Sequence, residues 1–276
     1  MSSSSTAARA RVTVPAIGAM KAAGQRIAMI TAYDATFAAI VDAAGVDMIL
    51  VGDSVATVVQ GQHTTIPVQL DEMAYHVRMV ARAGTAALVV GDLPFGSYQV
   101  GPQQAVASSI ELMKAGAGCV KLEGGVVMAD TIAAISRVDI PVVGHIGLTP
   151  QSYHRMGGHR VQGRRAGSEA VGRDRLPEDA FAVEQAGAFA VVIEGVPRAL
   201  AAEITSKLAI PTIGIGAGPD CDGQVLVLHD VLGLSDLRLT FTRQYADLRA
   251  TSIEAATSYV RDVRAGTWPD DEHSFH

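Results

Sequence analysis

The chain has 276 residues, a formal net charge of -6 and two cysteines, Cys119 and Cys221. A mildly acidic chain with no basic block excludes nucleic acid and anionic membrane surfaces as partners, and two cysteines in this length build no disulfide framework and suit a reduced, cytoplasmic setting. Hydrophobic residues make up 49% and aromatics only 5%, so the core has to be assembled from Ala, Val, Ile and Leu, the usual filling of α/β proteins.

Residues 1–13 read as a disordered polar tail with no apolar signal-peptide core, and no apolar run reaches membrane-spanning length. A helix over 14–24 leads to a strand over 26–31. Asp34 caps a helix over 34–44 that stops at Gly45, followed by a strand over 47–51. Asp71 and Glu72 sit in the first turn of a helix over 70–83, where the helix dipole favours acids. Strands over 86–90, 118–122 and 140–143 then alternate with helices over 103–115 and 129–137. The connection over 144–173, rich in Gly, Arg and Gln, is too long for an ordinary loop and predicts a lid. A helix over 176–186, a strand over 188–193, a helix over 197–208 opened by Pro197, and strands over 210–215 and 225–228 follow, then a terminal helix over 245–263. Eight short buried strands alternating with helices predict one (β/α)8 barrel over 14–265, with a polar tail over 266–276; a doubly wound open sheet is the competing fold.

The strand ends carry the chemistry. Val120-Lys121-Leu122-Glu123 ends in the turn Gly124-Gly125, and strand alternation puts Lys121 and Glu123 on one side. A structural Lys121–Glu123 ion pair explains that pair taken alone. Other strands also deliver ionisable groups, however: Asp53-Ser54 after the second, Asp92 after the third, His145 after the fifth and Glu194 after the sixth. In a parallel barrel these ends share one rim, where barrel enzymes place their active sites. Singly, each acid is as well explained as a helix cap; as a set on successive strands they are not. Asp53, Asp92 and Glu123 from neighbouring strands would repel one another unless a cation sat between them. All-oxygen ligands suit Mg²⁺ better than zinc, for which no histidine pair at ligand spacing is present. Such an ion, with Lys121 beside it, can grip a 2-oxo acid by its carboxylate and keto oxygens and stabilise an enolate. Glu194, across the barrel in strand order, reads either as a general base or as the cap of the helix opened by Pro197. His145 reads either as a rim group hydrogen-bonded to substrate or as a satisfied core histidine. Ile213-Gly-Ile-Gly-Ala-Gly218 lacks the following helix of a dinucleotide fingerprint and reads as backbone brought close to a ligand or a neighbouring strand.

Several segments together carry a family resemblance: Thr31-Ala-Tyr-Asp34, Val51-Gly-Asp-Ser54, Gly91-Asp-Leu-Pro-Phe95, Val120-Lys-Leu-Glu-Gly-Gly125, His145-Ile-Gly-Leu-Thr-Pro-Gln151, Gly157-Gly158, Val161-Gln-Gly163, Gly214-Ile-Gly-Ala-Gly218, Asp222-Gly-Gln-Val-Leu226 and Glu272-His-Ser-Phe275. From about Lys21 onward the chain resembles the ketopantoate hydroxymethyltransferases. The resemblance implies a barrel of the phosphoenolpyruvate/pyruvate type. It implies transfer of a one-carbon unit from 5,10-methylenetetrahydrofolate to 3-methyl-2-oxobutanoate, giving 2-dehydropantoate on the way to pantothenate. It further implies Mg²⁺ on Asp53, Asp92 and Glu123; the oxo acid on Asp53, Ser54, Asp92 and Lys121; Glu194 as proton acceptor; and a homodecamer of stacked pentamers. The departures are the segment before Lys21 and Gly195, where a larger residue is expected. A metal-dependent lyase acting without folate, and a barrel kept only to bind metabolites, are the competing functions.

Overall fold

In the computed structural model, which describes residues 9–164, 172–235 and 239–276, the apolar runs form β1 (Ile27–Thr31), β2 (Met48–Val51), β3 (Leu88–Asp92), β4 (Cys119–Glu123), β5 (Val142–Gly147), β6 (Ala190–Glu194), β7 (Thr212–Ile215) and β8 (Gly223–Leu226). Every neighbouring pair is parallel, and Ile27 of β1 registers with Gly223 of β8, closing the sheet in sequential order. The structure is the expected (β/α)8 barrel. Gly223 is required at the closure: a Cβ there would lie 2.8 Å from Ile27 Cβ and hard against its carbonyl oxygen, closer than non-bonded atoms approach.

The chain divides into two compact units, 1–227 and 228–276. In the first, the helices are α1 (Val14–Ala22), α2 (Ala35–Ala43), α3 (Val55–Val58), α4 (Leu70–Arg82), α5 (Pro102–Ala115), α6 (Ala129–Ser136), α7 (Tyr153–Met156), α8 (Arg175–Gln185) and α9 (Arg198–Lys207). Asp34 caps α2 as its spacing predicts, accepting from Phe37 N at 2.8 Å. The tail expected over 1–13 lies outside the described residues through residue 8; beyond it, Val12 N donates to Ala86 O at 2.7 Å. The second unit holds α10 (Leu228–Val231) and α11 (Leu248–Ala265). The terminal helix starts at Leu248 rather than 245 because Asp247 caps it, accepting from Ala250 N at 3.1 Å. Among the described residues no helix is long and apolar enough to cross a membrane.

What positions the site is the alternation along each strand. Leu88 and Val90, Cys119, Val143, and Ala190 and Val192 belong to the apolar cluster that fills the barrel, joined by Ile17 of α1. Two residues further along the same inward rows come Asp92, Lys121 and Glu123, His145 and Glu194. β3, β4, β5 and β6 thus face the interior with an apolar lower half and one or two ionisable residues toward the rim. β3, β4, β5 and β6 also run further toward the rim than the apolar runs predict. Asp92, Glu123, His145 and Glu194 therefore lie within the strands, held by the backbone ladder, rather than in the loops after them.

The connection expected over 144–173 is correspondingly shorter. Its start belongs to β5, and α7 and the 3₁₀ turn Pro150–Ser152 occupy its first half. Residues 165–171 of the expected lid lie outside the described residues.

Candidate active site

Lys121 is the centre of the rim. It and Asp92 are direct partners in the β3–β4 register, and Lys121 Nζ reaches Asp92 Oδ1 at 2.7 Å and Oδ2 at 2.8 Å. The expected alternative, an ion pair with Glu123 on the same strand, is not formed. Residues two apart on one strand are separated by about 6.5 Å, whereas neighbours across a ladder stand closer, so the cross-strand carboxylate wins. Both groups are buried. Burial lowers the Lys121 pKa, but Asp92, Glu123 and Asp53 together hold it above the ordinary lysine value. Burial raises that of Asp92 to about 6 in spite of Lys121.

Asp53 follows β2 and precedes α3. Its backbone N–H donates to Asp92 Oδ2 at 3.2 Å, tying the Asp53 backbone to the Asp92 carboxylate. Its own carboxyl is pushed upward in pKa by burial and then by Glu123. Ser54 lies beside it with Oγ 2.8 Å from Tyr33 Oη.

Glu123 pairs in register with His145, and a chain of three ionisable groups results. His145 Nδ1 is 3.4 Å from Glu123 Oε1, and His145 Nε2 is 3.3 Å from Glu194 Oε2. Neither contact meets hydrogen-bond geometry, which leaves Glu123 Oε1 and both imidazole nitrogens buried without a hydrogen-bond partner. Burial and the Lys121 charge pull the His145 pKa down, but the two flanking carboxylates prevail and set it at about 9. Glu194 is not isolated across the barrel, as strand order alone suggests, but reaches the Glu123 side through one imidazole. Its capping alternative is not what forms: α9 has no side-chain cap bond, and its N-cap position is Pro197.

Two residues of the site escape a reading of strand ends. Gln151, in the 3₁₀ turn after β5, donates from Nε2 to Asp53 Oδ2 at 3.0 Å and to Leu93 O at 3.0 Å. Its backbone N–H donates to Glu123 Oε2 at 3.0 Å. Tyr98, in the loop after β3, donates to Gln151 Oε1 at 2.7 Å and accepts from Glu123 N at 3.2 Å. Gln151 stands inside the segment from His145 that carries the resemblance; Tyr98 has no signal in the sequence, because a tyrosine in a loop reads as ordinary. Past these two residues opens a cavity of about 450 Å³, lined by Phe95, Met128, Ile146, Arg155, Arg175 and Glu123 among others.

Among the described residues no group of three or more His, Cys, Asp or Glu side chains is set as a ready-made metal cage. In this arrangement Lys121 fills the cationic place beside Asp92, and His145 that beside Glu123. The donor chemistry nevertheless suits a hard cation. Asp53 and Asp92 are buried carboxylates whose ionised forms are disfavoured by burial and by neighbouring acids, and Glu123 Oε1 is an unpartnered buried oxygen; a divalent ion would offset all three costs.

A family model described as ketopantoate hydroxymethyltransferase matches residues 11–271. Among curated relatives, the 3-methyl-2-oxobutanoate hydroxymethyltransferase of Pelobacter propionicus is 53% identical over 270 residues, covering 97% of this chain and 98% of the relative. That of Moorella thermoacetica is 54% identical over 271 residues, covering 98% and 99%. Among solved structures, phosphonopyruvate hydrolase in complex with oxalate and Mg⁺⁺ superposes with a TM-score of 0.63 at 14% identity, covering 95% of this chain and 91% of that one. The 2,3-dimethylmalate lyase, a member of the PEP mutase/isocitrate lyase superfamily, gives 0.61 at 18%, covering 95% and 92%. At such identities these two speak for the fold alone.

Proposed function

Because the chain belongs to the ketopantoate hydroxymethyltransferase family, we propose that its rim carries out the family's hydroxymethyl transfer with 5,10-methylenetetrahydrofolate as donor, 3-methyl-2-oxobutanoate as acceptor and 2-dehydropantoate, a pantothenate precursor, as product. The activity itself, 3-methyl-2-oxobutanoate hydroxymethyltransferase, is that of relatives matching nearly the whole chain. The observation that carries the mechanistic reading is the convergence of Asp53, Asp92, Lys121, Glu123, His145 and Glu194 from five successive strand ends.

Asp53 and Asp92, with Glu123, would hold Mg²⁺, which when bound supplies positive charge at the oxo acid's carboxylate and keto oxygens. Ser54 and Lys121 hold the same end of the substrate, and the Lys121 ammonium stabilises the negative charge that develops on the keto oxygen. Glu194 takes the proton from C3. His145, touching Glu194 Oε2 at 3.3 Å, orients that carboxylate. The C3–H bond breaks, a bond forms from C3 to the donor's methylene carbon, and that carbon leaves both folate nitrogens and gains hydroxide from water; the two nitrogens end with the proton that Glu194 took from C3 and the remaining proton of the water. The cavity beside Glu123 counts Phe95, Tyr98, Arg155 and Arg175 among its lining residues, a composition that suits an aromatic, anionic donor. We extend the reading to a cytoplasmic homodecamer, on the family resemblance.

Deuterium exchange at C3 of the oxo acid, followed by NMR with Mg²⁺ and no folate, tests the assignment of the base. Glu194→Gln is expected to slow exchange by about 10²–10⁴-fold. Exchange at the wild-type rate removes Glu194 from the role. Turnover of the oxo acid without methylenetetrahydrofolate would point instead to a folate-independent lyase.

A further inference from the structure

Gln151 is buried in the 3₁₀ turn after β5, and its side-chain amide is bonded on both sides. Its Nε2 donates to Asp53 Oδ2 and Leu93 O, both at 3.0 Å, and the Leu93 carbonyl, like a carboxylate, can only accept. Its Oε1 receives Tyr98 Oη at 2.7 Å and Gln99 Nε2 at 3.2 Å. The amide orientation is therefore dictated by its neighbours: turned over, the NH₂ would face the Gln99 amide donor, and the carbonyl would face a carboxylate and a carbonyl. The backbone N–H of the same residue takes Glu123 Oε2 at 3.0 Å. One residue thus grips two carboxylates that arrive from different strands, Asp53 after β2 and Glu123 at the end of β4. It does so with neutral donors, which fix a carboxylate without neutralising it as an ammonium would. On Glu123 its hold leaves Oε1 unpartnered and buried.

We infer that Gln151 is a positioning residue for the transfer reaction: its side-chain and backbone donors set the Asp53 and Glu123 carboxylates for the cation and the oxo acid, and the Tyr98 hydroxyl locks the amide in the orientation that does so. The inference rests on the proposed roles of Asp53 and Glu123. Groups of this kind, which touch a ligating carboxylate without touching the ligand, change metal affinity or activity by about 10–100-fold when removed.

The test uses the full-length protein and three measurements: calorimetric titration of Mg²⁺ into metal-free protein, calorimetric titration of the oxo acid, and the separate kcat and KM of the complete reaction. Gln151→Met keeps the length of the side chain and removes its polar atoms. Its Mg²⁺ affinity is expected to fall about 10–100-fold, with a matching rise in the oxo acid's Kd and KM. Tyr98→Phe keeps the ring and removes only the lock, and is expected to weaken both about 3–10-fold, since one hydrogen bond is at stake. A merely structural role would lower the thermal midpoint and leave both affinities at the wild-type value; that result in Gln151→Met overturns the inference. If Gln151→Met does not fold, wild-type affinities in Tyr98→Phe overturn it. A wild-type protein that binds no Mg²⁺ refutes the metal reading separately, and Gln151 is then judged on oxo-acid affinity, where an unchanged Kd in the variant counts against it.

Discussion

Asp53 and Lys121 sit in the same rim and answer opposite questions about stability. Asp53 is a buried acid whose charge is disfavoured first by burial and then by Glu123; Asp53→Asn keeps an acceptor for Gln151 and removes that charge. The metal-free variant is expected to be about 1–2 kcal/mol more stable than wild type and inactive, the trade expected where a site stores repulsion for a ligand. Lys121→Met takes away the ammonium that Asp92 is paired with, so the buried carboxyl must either bind a proton or carry its charge without a cation, and the variant is expected to be destabilised by about 3–5 kcal/mol. Thermal denaturation in the presence of a chelator measures both, and the same sign for the two variants would contradict the electrostatics described. His145 adds a pH dependence. Its folded pKa, about 9, stands above the ordinary 6.5, so the stability it contributes is complete below about pH 6.5 and is lost as the pH rises through about 9. The thermal midpoint of metal-free wild type is expected to fall through that interval more steeply than that of His145→Asn; parallel curves would show that the imidazole is not held charged.

At the scale of an element, β4 and its turn are the most constrained piece. Gly124 has φ +133°, and a Cβ on Gly125 would collide with the Asp179 side chain of α8, whose Oδ1 accepts from Val126 N at 2.8 Å. That close approach fixes the chain as it leaves Glu123. Gly125→Ala is expected to destabilise by about 1–3 kcal/mol through overpacking, with chemical denaturation as the measure; a change under about 0.5 kcal/mol would mean that the turn yields easily. The strand itself was legible in the sequence, because Val120, Leu122 and the two glycines punctuate it clearly. Its partners were not. Alternation along the strand offers Lys121 an ion pair with Glu123 as one of two readings, and the register gives it Asp92 instead, a choice that only the ladder between β3 and β4 decides. The apolar runs alone end β3 and β5 two or more residues short of their observed ends, because charged residues read as loop until the barrel interior is known to hold them. The larger residue expected at Gly195 meets a backbone at φ +56°, with Leu148 Cβ 3.0 Å from where a Cβ would stand, so glycine fits this chain's own geometry.

Across the whole molecule, the eightfold alternation of apolar runs and helices predicts a parallel sheet covered on both faces, and the strand count favours a closed barrel over a doubly wound open sheet. The rim acids followed from that topology: once the strands are parallel, their ends share a mouth. What stayed hidden were contacts made by loops, Tyr98 and Gln151 above all, which join sites far apart in sequence and follow no period. The proposed chemistry requires the rim to act as one unit, with oxygens of Asp53, Asp92 and Glu123 on a shared cation and Glu194 on the far side of the substrate. The most direct test is a crystal structure of the protein soaked with Mn²⁺ and 3-methyl-2-oxobutanoate, with the ion located by its anomalous scattering. The ion is expected against Asp53 and Asp92 on the Glu123 side, chelated by the oxo acid, with a Glu194 oxygen within reach of C3. An ion bound away from these carboxylates, or an oxo acid whose C3 points away from Glu194, would contradict the proposed chemistry.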